Sequence, residues 1–502
     1  MKRQGNTADR TSARRRTALH ITHRTIAVIA GLSLLTGGVA GAGTVAITAP
    51  AQAQEQIAVP DAPGASAGAQ GDGADTMSFD YTGSYTGTIT ASGEDITSDG
   101  ETHTATQSDC NAALVEDGGS LTLENALLQK SGDDTDGDRC NFYGVNSILT
   151  AVGEGSTATV SNSSLAATSA GSNGIFATDG AKVIVSDTSI DTAADNSRGL
   201  DATYGGVIVA DTVDISTAGD HCAGIATDRG GGTITATDST ATTQGSGSPI
   251  LYSTGDIEVD GLTGTAIGSQ IAGMEGLDTI SIENSTLKST ITGKTASDPI
   301  ANGIIIYQST SGDAESTTGE TATFTAKNST LSSAIESGSM FYLTNTTAKI
   351  TLNNTVLDFD SSKAALITAE GNDSNNWGDA GNNGATVTVK AVKQTLEGDI
   401  VADTISSVKL SLTKGSTWTG TTHIEENASG SPTSDSPISI TVDGSSRWIV
   451  THDCTVSNLT VHDGGTLKDS NGQTVTIKAN GKTVVEGTGN ATVTVTGAYK
   501  AD

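Results

Sequence analysis

Four segments written in register, SNGIFATDG (172–180), SRGLDATYG (197–205), CAGIATDRG (222–230) and SPILYSTGD (248–256), decide the fold of this chain. Gly174, Gly199, Gly224 and Pro249 fall 25 residues apart, and from Asn162 to Asp260 the repeat runs at 22 to 27 residues. A second phrase keeps step with the first: VSNSS (160–164), IVSDTS (184–189), IVADT (208–212) and ITATDS (234–239). A fixed period of this size marks a solenoid, in which each unit buries its apolar face only against its neighbours. Period-two alternation and a Val/Ile/Thr-rich content make each unit a set of short strands. The expected fold is all-β, a right-handed single-stranded parallel β-helix (solenoid) of roughly 15 coils. It spans residues 78–502, with a more regular C-terminal part from about residue 385.

Alignment of the coils assigns faces, because successive strand residues point to opposite sides. Ile175, Leu200, Ile225 and Ile250 form one inward column, and Ala177, Ala202, Thr227 and Tyr252 a second. The first continues through Ile271 and Ile304. Phe176, Asp201, Ala226 and Leu251 then face outward, with Thr178, Thr203, Asp228 and Ser253 beside them. Asp201 and Asp228 thus lie outside, where charge belongs; Tyr252 is the misfit of the inward set. Asn162, Asp187, Asp211, Asn284, Asn328 and Asn354 recur where coils turn, since Asn and Asp tolerate left-handed backbone angles. Stacked from coil to coil, they form ladders.

Composition agrees with a thin core. Aromatic residues make up 3% of the 502-residue chain and prolines number seven, fewer bulky side chains than a thick globular core draws on. Residues 1–53 read as a signal peptide: a basic stretch from Lys2 to Arg24, an uncharged run from Thr25 to Thr48, and a small-x-small cleavage site after Ala53. The alternatives are an uncleaved anchor and twin-arginine export, for which RRTAL (15–19) is a poor signal. Residues 54–77 read as a flexible linker rich in Ala, Gly, Asp and Pro. Without the leader, 19 basic and 56 acidic residues remain, a net charge near −37. Such a surface repels nucleic acid, anionic lipid and acidic polysaccharide. No membrane span is expected in the mature chain.

The phrases LDATYGG (200–206), ATDRGGG (226–232), NFYGVN (141–146), YSTGDI (252–257) and GSQIA (268–272) carry a family likeness. YQSTSGDA (307–314), MFYLTNT (340–346) and NNWG (375–378) extend it. Over roughly residues 80 to 420 the chain resembles bacterial adhesin-like right-handed β-helix proteins, which look like autotransporter passenger domains and share the pectin-lyase-like fold. The resemblance implies a secreted or cell-surface protein without catalytic activity. Its implied partners are neutral glycans or components of host and neighbouring cell surfaces. The chain departs from the passenger pattern at AYKAD (498–502), where neither a membrane barrel nor a sorting motif follows. Release or non-covalent retention at the surface is the matching expectation. The alternative is a carbohydrate-active enzyme on the same fold, a polysaccharide lyase or a glycoside hydrolase, which needs aspartates projecting from successive coils.

The one cluster of mixed charge is Arg198, Asp201, Asp228 and Arg229, with Tyr204 and His221 beside it. It lies on neighbouring coils of one face and is the candidate ligand site, with Glu275, Tyr307 and Asp313 extending the groove. Tyr204 suits an uncharged sugar. The competing reading is that the four charges pair with one another in an exposed network of little energetic weight. Trp377, Trp418 and Trp448 all lie in the last quarter, where they read as corner packers or, alternatively, sugar-stacking faces.

Of the four cysteines, Cys110 and Cys222 stand four coils apart. That is about 19 Å at ~4.8 Å per coil, too far to bridge. Cys110–Cys140 is the one candidate disulfide, and export permits it. DDTDGD (133–138) reads as a solvated acidic loop with weak Ca²⁺ capture as the alternative, because it misses the EF-hand pattern at Arg139 and Val145. No cofactor is expected.

Overall fold

Alternating apolar residues close into strands here because left-handed residues interrupt them at regular intervals. The computed structural model describes residues 77–310, 312–314, 321–430, 432 and 434–502, and the proposed signal peptide lies outside them, as does the linker up to residue 76. Forty-four strands and one α-helix are present among the described residues. Thirteen parallel strands, from Gly87–Ser92 to Thr422–Glu425, make a first sheet that receives one strand from each successive coil. The other faces are built the same way. Lys182–Thr192 and Gly206–Thr217 run on through a corner at Asp187 (φ 47°) and Thr212 (φ 59°). The chain is a right-handed parallel β-helix.

Register follows the repeat until residue 250. Ile175 pairs with Leu200 and Leu200 with Ile225. The next partner is Leu251, not Ile250, followed by Ala272 in place of Ile271 and then Ile304. A one-residue slip exchanges the faces of a strand. Tyr252 therefore points outward, Leu251 inward, and Thr254 rather than Ser253 follows in the outward row. The misfit of the inward column disappears. The turn residues show a similar offset: Asn162, Asp187, Asn284, Asn328 and Asn354 have positive φ, but in the coil of Asp211 that role falls to Thr212. The ladder is present, with Asn284 donating to Asp260 (2.7 Å) and Asn354 to Asn328 (2.9 Å).

Small aliphatic side chains fill the interior, and the bulky exceptions cluster late in the chain. Trp418 and Trp448 pair in register on adjacent coils and stack at 4.7 Å between ring centroids, both fully buried. Their indole N–H groups donate to the Gly398 and Gly420 carbonyls. These two tryptophans are internal packers. Near the C terminus the parallel order breaks: Thr476–Ala479 pairs antiparallel with Lys482–Val485.

The helix α1 (Gly137–Tyr143) was not legible as a helix among so many strands. Asp136 caps it by accepting from the Asp138 N–H, and Gly144 ends it in the left-handed region at φ 71°. Of the acidic run 133–138, residues 133–135 form an irregular and largely exposed segment, Asp136 caps the helix and Gly137 and Asp138 open it. Asp133 accepts from Ala170 N–H and Asp136 pairs with Arg139. All four cysteines are free thiols. The expected Cys110–Cys140 bridge is not formed, because Cys140 is carried by α1 with its thiol toward the Gly137 carbonyl (3.1 Å), while Cys110 turns to its neighbour's carbonyl at Asn111. Among the described residues no helix is long and apolar enough to cross a membrane.

Candidate functional site

The outward face of the first sheet carries the register column Phe176, Asp201, Ala226, Tyr252, Gly273 and Ile305. Longer insertions between coils stand beside this face. They include α1, the segment around Ala296–Asp298, the residues after Tyr307 and the segment carrying Trp377. Together they enclose a cleft of about 250 Å³. Gly273 holds its floor open: a Cβ there would meet only ordinary contacts with Tyr252, Gln270 and Ile305, at 3.4 to 3.6 Å.

One wall is organised by Arg198. Its guanidinium donates to Asp228 (2.7 Å) and to Asn141 on α1 (2.7 Å), and stands 3.5 Å from Asp201. Burial pushes both carboxyls upward in pKa, against the pull of the same guanidinium. Arg229 belongs to a separate pair. It donates through Nε to Asp313 (2.9 Å) and lies over the Phe142 ring at 3.7 Å. Close approach of α1 to the sheet depends on Gly144, where any Cβ would come within 2.3 Å of Phe176.

The opposite part of the cleft combines hydroxyls, carboxyls and rings. Tyr252 and Tyr307 both donate to Glu275 Oε2 at 2.9 Å, and Ser309 donates to Oε1. Burial raises the Glu275 pKa. Trp377, half-buried, stacks on Tyr307 with centroids 4.2 Å apart. Asp298 is 8% exposed; Asn302 donates to its Oδ2 (2.7 Å), and burial lifts its carboxyl to about 7. Gln270 and His221 complete the lining.

The structure thus redistributes the expected ligand cluster. Arg198 and Asp228 line the cleft. Asp201 is on the predicted face but fully buried, because α1 and the Arg198 side chain cover it; the expectation of an exposed charge network is corrected on this point. Arg229 pairs with Asp313 instead of joining the other three. Tyr204 does not line the cleft. It stacks on Tyr143 at 5.6 Å and meets Phe79 edge-on, at a left-handed φ of 46°. Glu275, Tyr307, Asp313 and His221 do line the cleft, Glu275 because the register slip turns Ala272 inward and Asp313 because the insertion after Tyr307 carries it there. Asn141, Phe142, Gln270 and Asp298 escaped the sequence reading. The DG step with its flanking aspartates before Cys140 was the one available signal for α1. No group of three or more His, Cys, Asp or Glu among the described residues is arranged to hold a metal ion.

Raised carboxyl pKa values have a measurable consequence. A carboxyl whose pKa is higher in the fold than in the unfolded chain stabilises the fold while protonated, and that stability is lost as pH rises through the folded value. Asp298 and Glu370 both sit at about 7, each through burial, and Glu370 also through the charges of Asp403 and Glu425. His221, lowered by burial and by Arg198, acts in the opposite sense, but only below its ordinary value of about 6.5. Between pH 6.5 and 8 the carboxyls act alone, so stability falls by about 1–2 kcal/mol across that window. Denaturant titrations at both pH values measure it. A flat or rising profile contradicts the burial argument, and Asp298→Asn reduces the slope.

No protein-family model matches this chain, and no curated protein matches its sequence.

Proposed function

We propose that this chain is an exported, adhesin-like β-helix protein that binds glycans, and that the cleft on the outward face of the first sheet is its binding site. The observation that carries this reading is the Trp377–Tyr307 stack at 4.2 Å, a half-buried aromatic face beside buried hydrogen-bonding groups. Sugar rings offer flat C–H faces to aromatic rings and hydroxyls to fixed polar groups, and this cleft supplies both. A solenoid surface adds avidity when ligands repeat along a polymer. Export rests on the basic and uncharged leader of residues 1–53.

The test is isothermal titration of residues 54–502 with oligosaccharides that bind on a glycan array. Trp377→Ala removes the stacking face, and Gly273→Val fills the floor without backbone strain. Each is expected to weaken binding by at least about tenfold while leaving the melting temperature within a few degrees. Unchanged affinity in both variants overturns the assignment of the cleft.

A second reading, a glycoside hydrolase, is favoured by one specific observation. Asp298 and Glu275 line the same cleft with raised pKa values, and a carboxyl that keeps its proton near neutrality suits a general acid. Product release from array-positive glycans, abolished by Asp298→Asn, would replace binding by turnover as the function.

A further inference from the structure

The cleft is rich in carboxyls. Asp228, Glu275, Asp298 and Asp313 line it, with Asp201 buried behind Arg198. Among the described residues two guanidiniums pair with them, and the Lys294 ammonium acts on Asp298 without forming an ion pair. Arg198 is taken by Asp228, Asp201 and Asn141, and Arg229 by Asp313 and the Phe142 ring. Asp298 is the telling member. It is more than nine-tenths buried and lines the cleft; its Oδ2 accepts from Asn302, and its Oδ1 carries no hydrogen bond among the described residues. No ion pair to it is present among those residues either.

Rings of the same cleft face this negative potential. Tyr252, Tyr307 and Trp377 line it, the last two stacked on each other. Aromatic faces attract cations, most strongly where water is excluded. Low-dielectric walls of one sign concentrate the opposite charge.

Resting on the glycan-binding reading, we infer that the preferred sugar carries a free ammonium group: the cleft is built for a de-N-acetylated amino sugar, its amine at Asp298 and its ring face on Trp377. A buried carboxyl without a paired cation holds its proton more tightly, and burial raises Asp298 to about 7 against the pull of Asn302 and the Lys294 ammonium. An ammonium beside it takes over the role of that proton. An N-acetyl group at the same place brings bulk and no charge, so it leaves Asp298 without a counter-charge. A carboxylated sugar meets repulsion from every acidic side chain of the lining.

Calorimetry on residues 54–502 at pH 7.5 and physiological ionic strength tests this with four probes. They are a glucosamine tetramer, its fully N-acetylated counterpart, a glucose tetramer and spermidine. The glucosamine tetramer is expected to bind at least about tenfold more tightly than the acetylated and glucose tetramers. Asp298→Asn is expected to cut that preference to less than about threefold, with the melting temperature followed in parallel to confirm a folded protein. Binding of the glucose or acetylated tetramer as tightly as the glucosamine tetramer overturns the amine assignment and leaves the glycan reading standing. Absence of binding by all three sugars overturns both. Spermidine binding as tightly as the glucosamine tetramer, unaffected by Trp377→Ala, also overturns both, since it reports only a general attraction to an acidic surface.

Discussion

Arg198→Met is expected to destabilise the protein by about 3–5 kcal/mol, although the residue looks from the sequence like an exposed, replaceable arginine. Its side chain is 11% exposed and its two carboxylate neighbours 0% and 5%. Taking charges out of water is costly, and the guanidinium offsets that cost for both aspartates at once. Remove it and Asp201 and Asp228 are left as buried like charges, each pushing the other toward protonation. Asn141 also loses the donor that ties α1 to the sheet. Urea unfolding followed by circular dichroism measures the loss. A second variant, Arg198→Met with Asp228→Asn, is expected to recover part of it, because one uncompensated charge is gone. A change below about 1 kcal/mol would mean that the network behaves as an exposed one.

Trp418→Ala is expected to cost about 3–5 kcal/mol. The indole is fully buried against Trp448, so its removal leaves a cavity, and the Gly398 carbonyl loses its donor. A thin solenoid core has few neighbouring side chains able to collapse into such a gap. The urea midpoint by circular dichroism and the emission of the remaining tryptophans report the change. Trp418→Phe is expected to cost less and to leave glycan affinity unaltered, in contrast with Trp377→Ala. A glycan-binding defect in Trp418→Phe with normal stability would restore the sugar-stacking reading for this residue.

The three tryptophans thus divide between the core and the cleft, and the division marks what local sequence carries. Trp418 and Trp448 occupy inward strand positions that alternation could identify: TWTG and RWIV place each between outward neighbours. Trp377 sits in an irregular insertion, where no period exists to orient it. Coil length shows the same boundary. Over residues 175 to 225 the repeat of 25 places each partner correctly, and one extra residue before Leu251 is enough to turn Tyr252 from the core to the cleft. The sequence pattern registered that error only as a tyrosine in an uncomfortable place.

The β-helix itself was determined by the sequence alone, because its defining interaction is between residues one coil apart and therefore leaves a period in the chain. The placing of Arg198 and Asp228 on one face followed from the same period, whereas Glu275 joins them through the register slip that turns Ala272 inward and Asp313 through the insertion after Tyr307. Only the tertiary structure decided that this face is covered, that Asp201 is buried and that Asp298, Gln270 and Trp377 share a cleft with it. Those features depend on α1 and on the longer insertions, which pack across several coils at once. Contacts of that kind repeat nowhere in the chain, so no spacing records them.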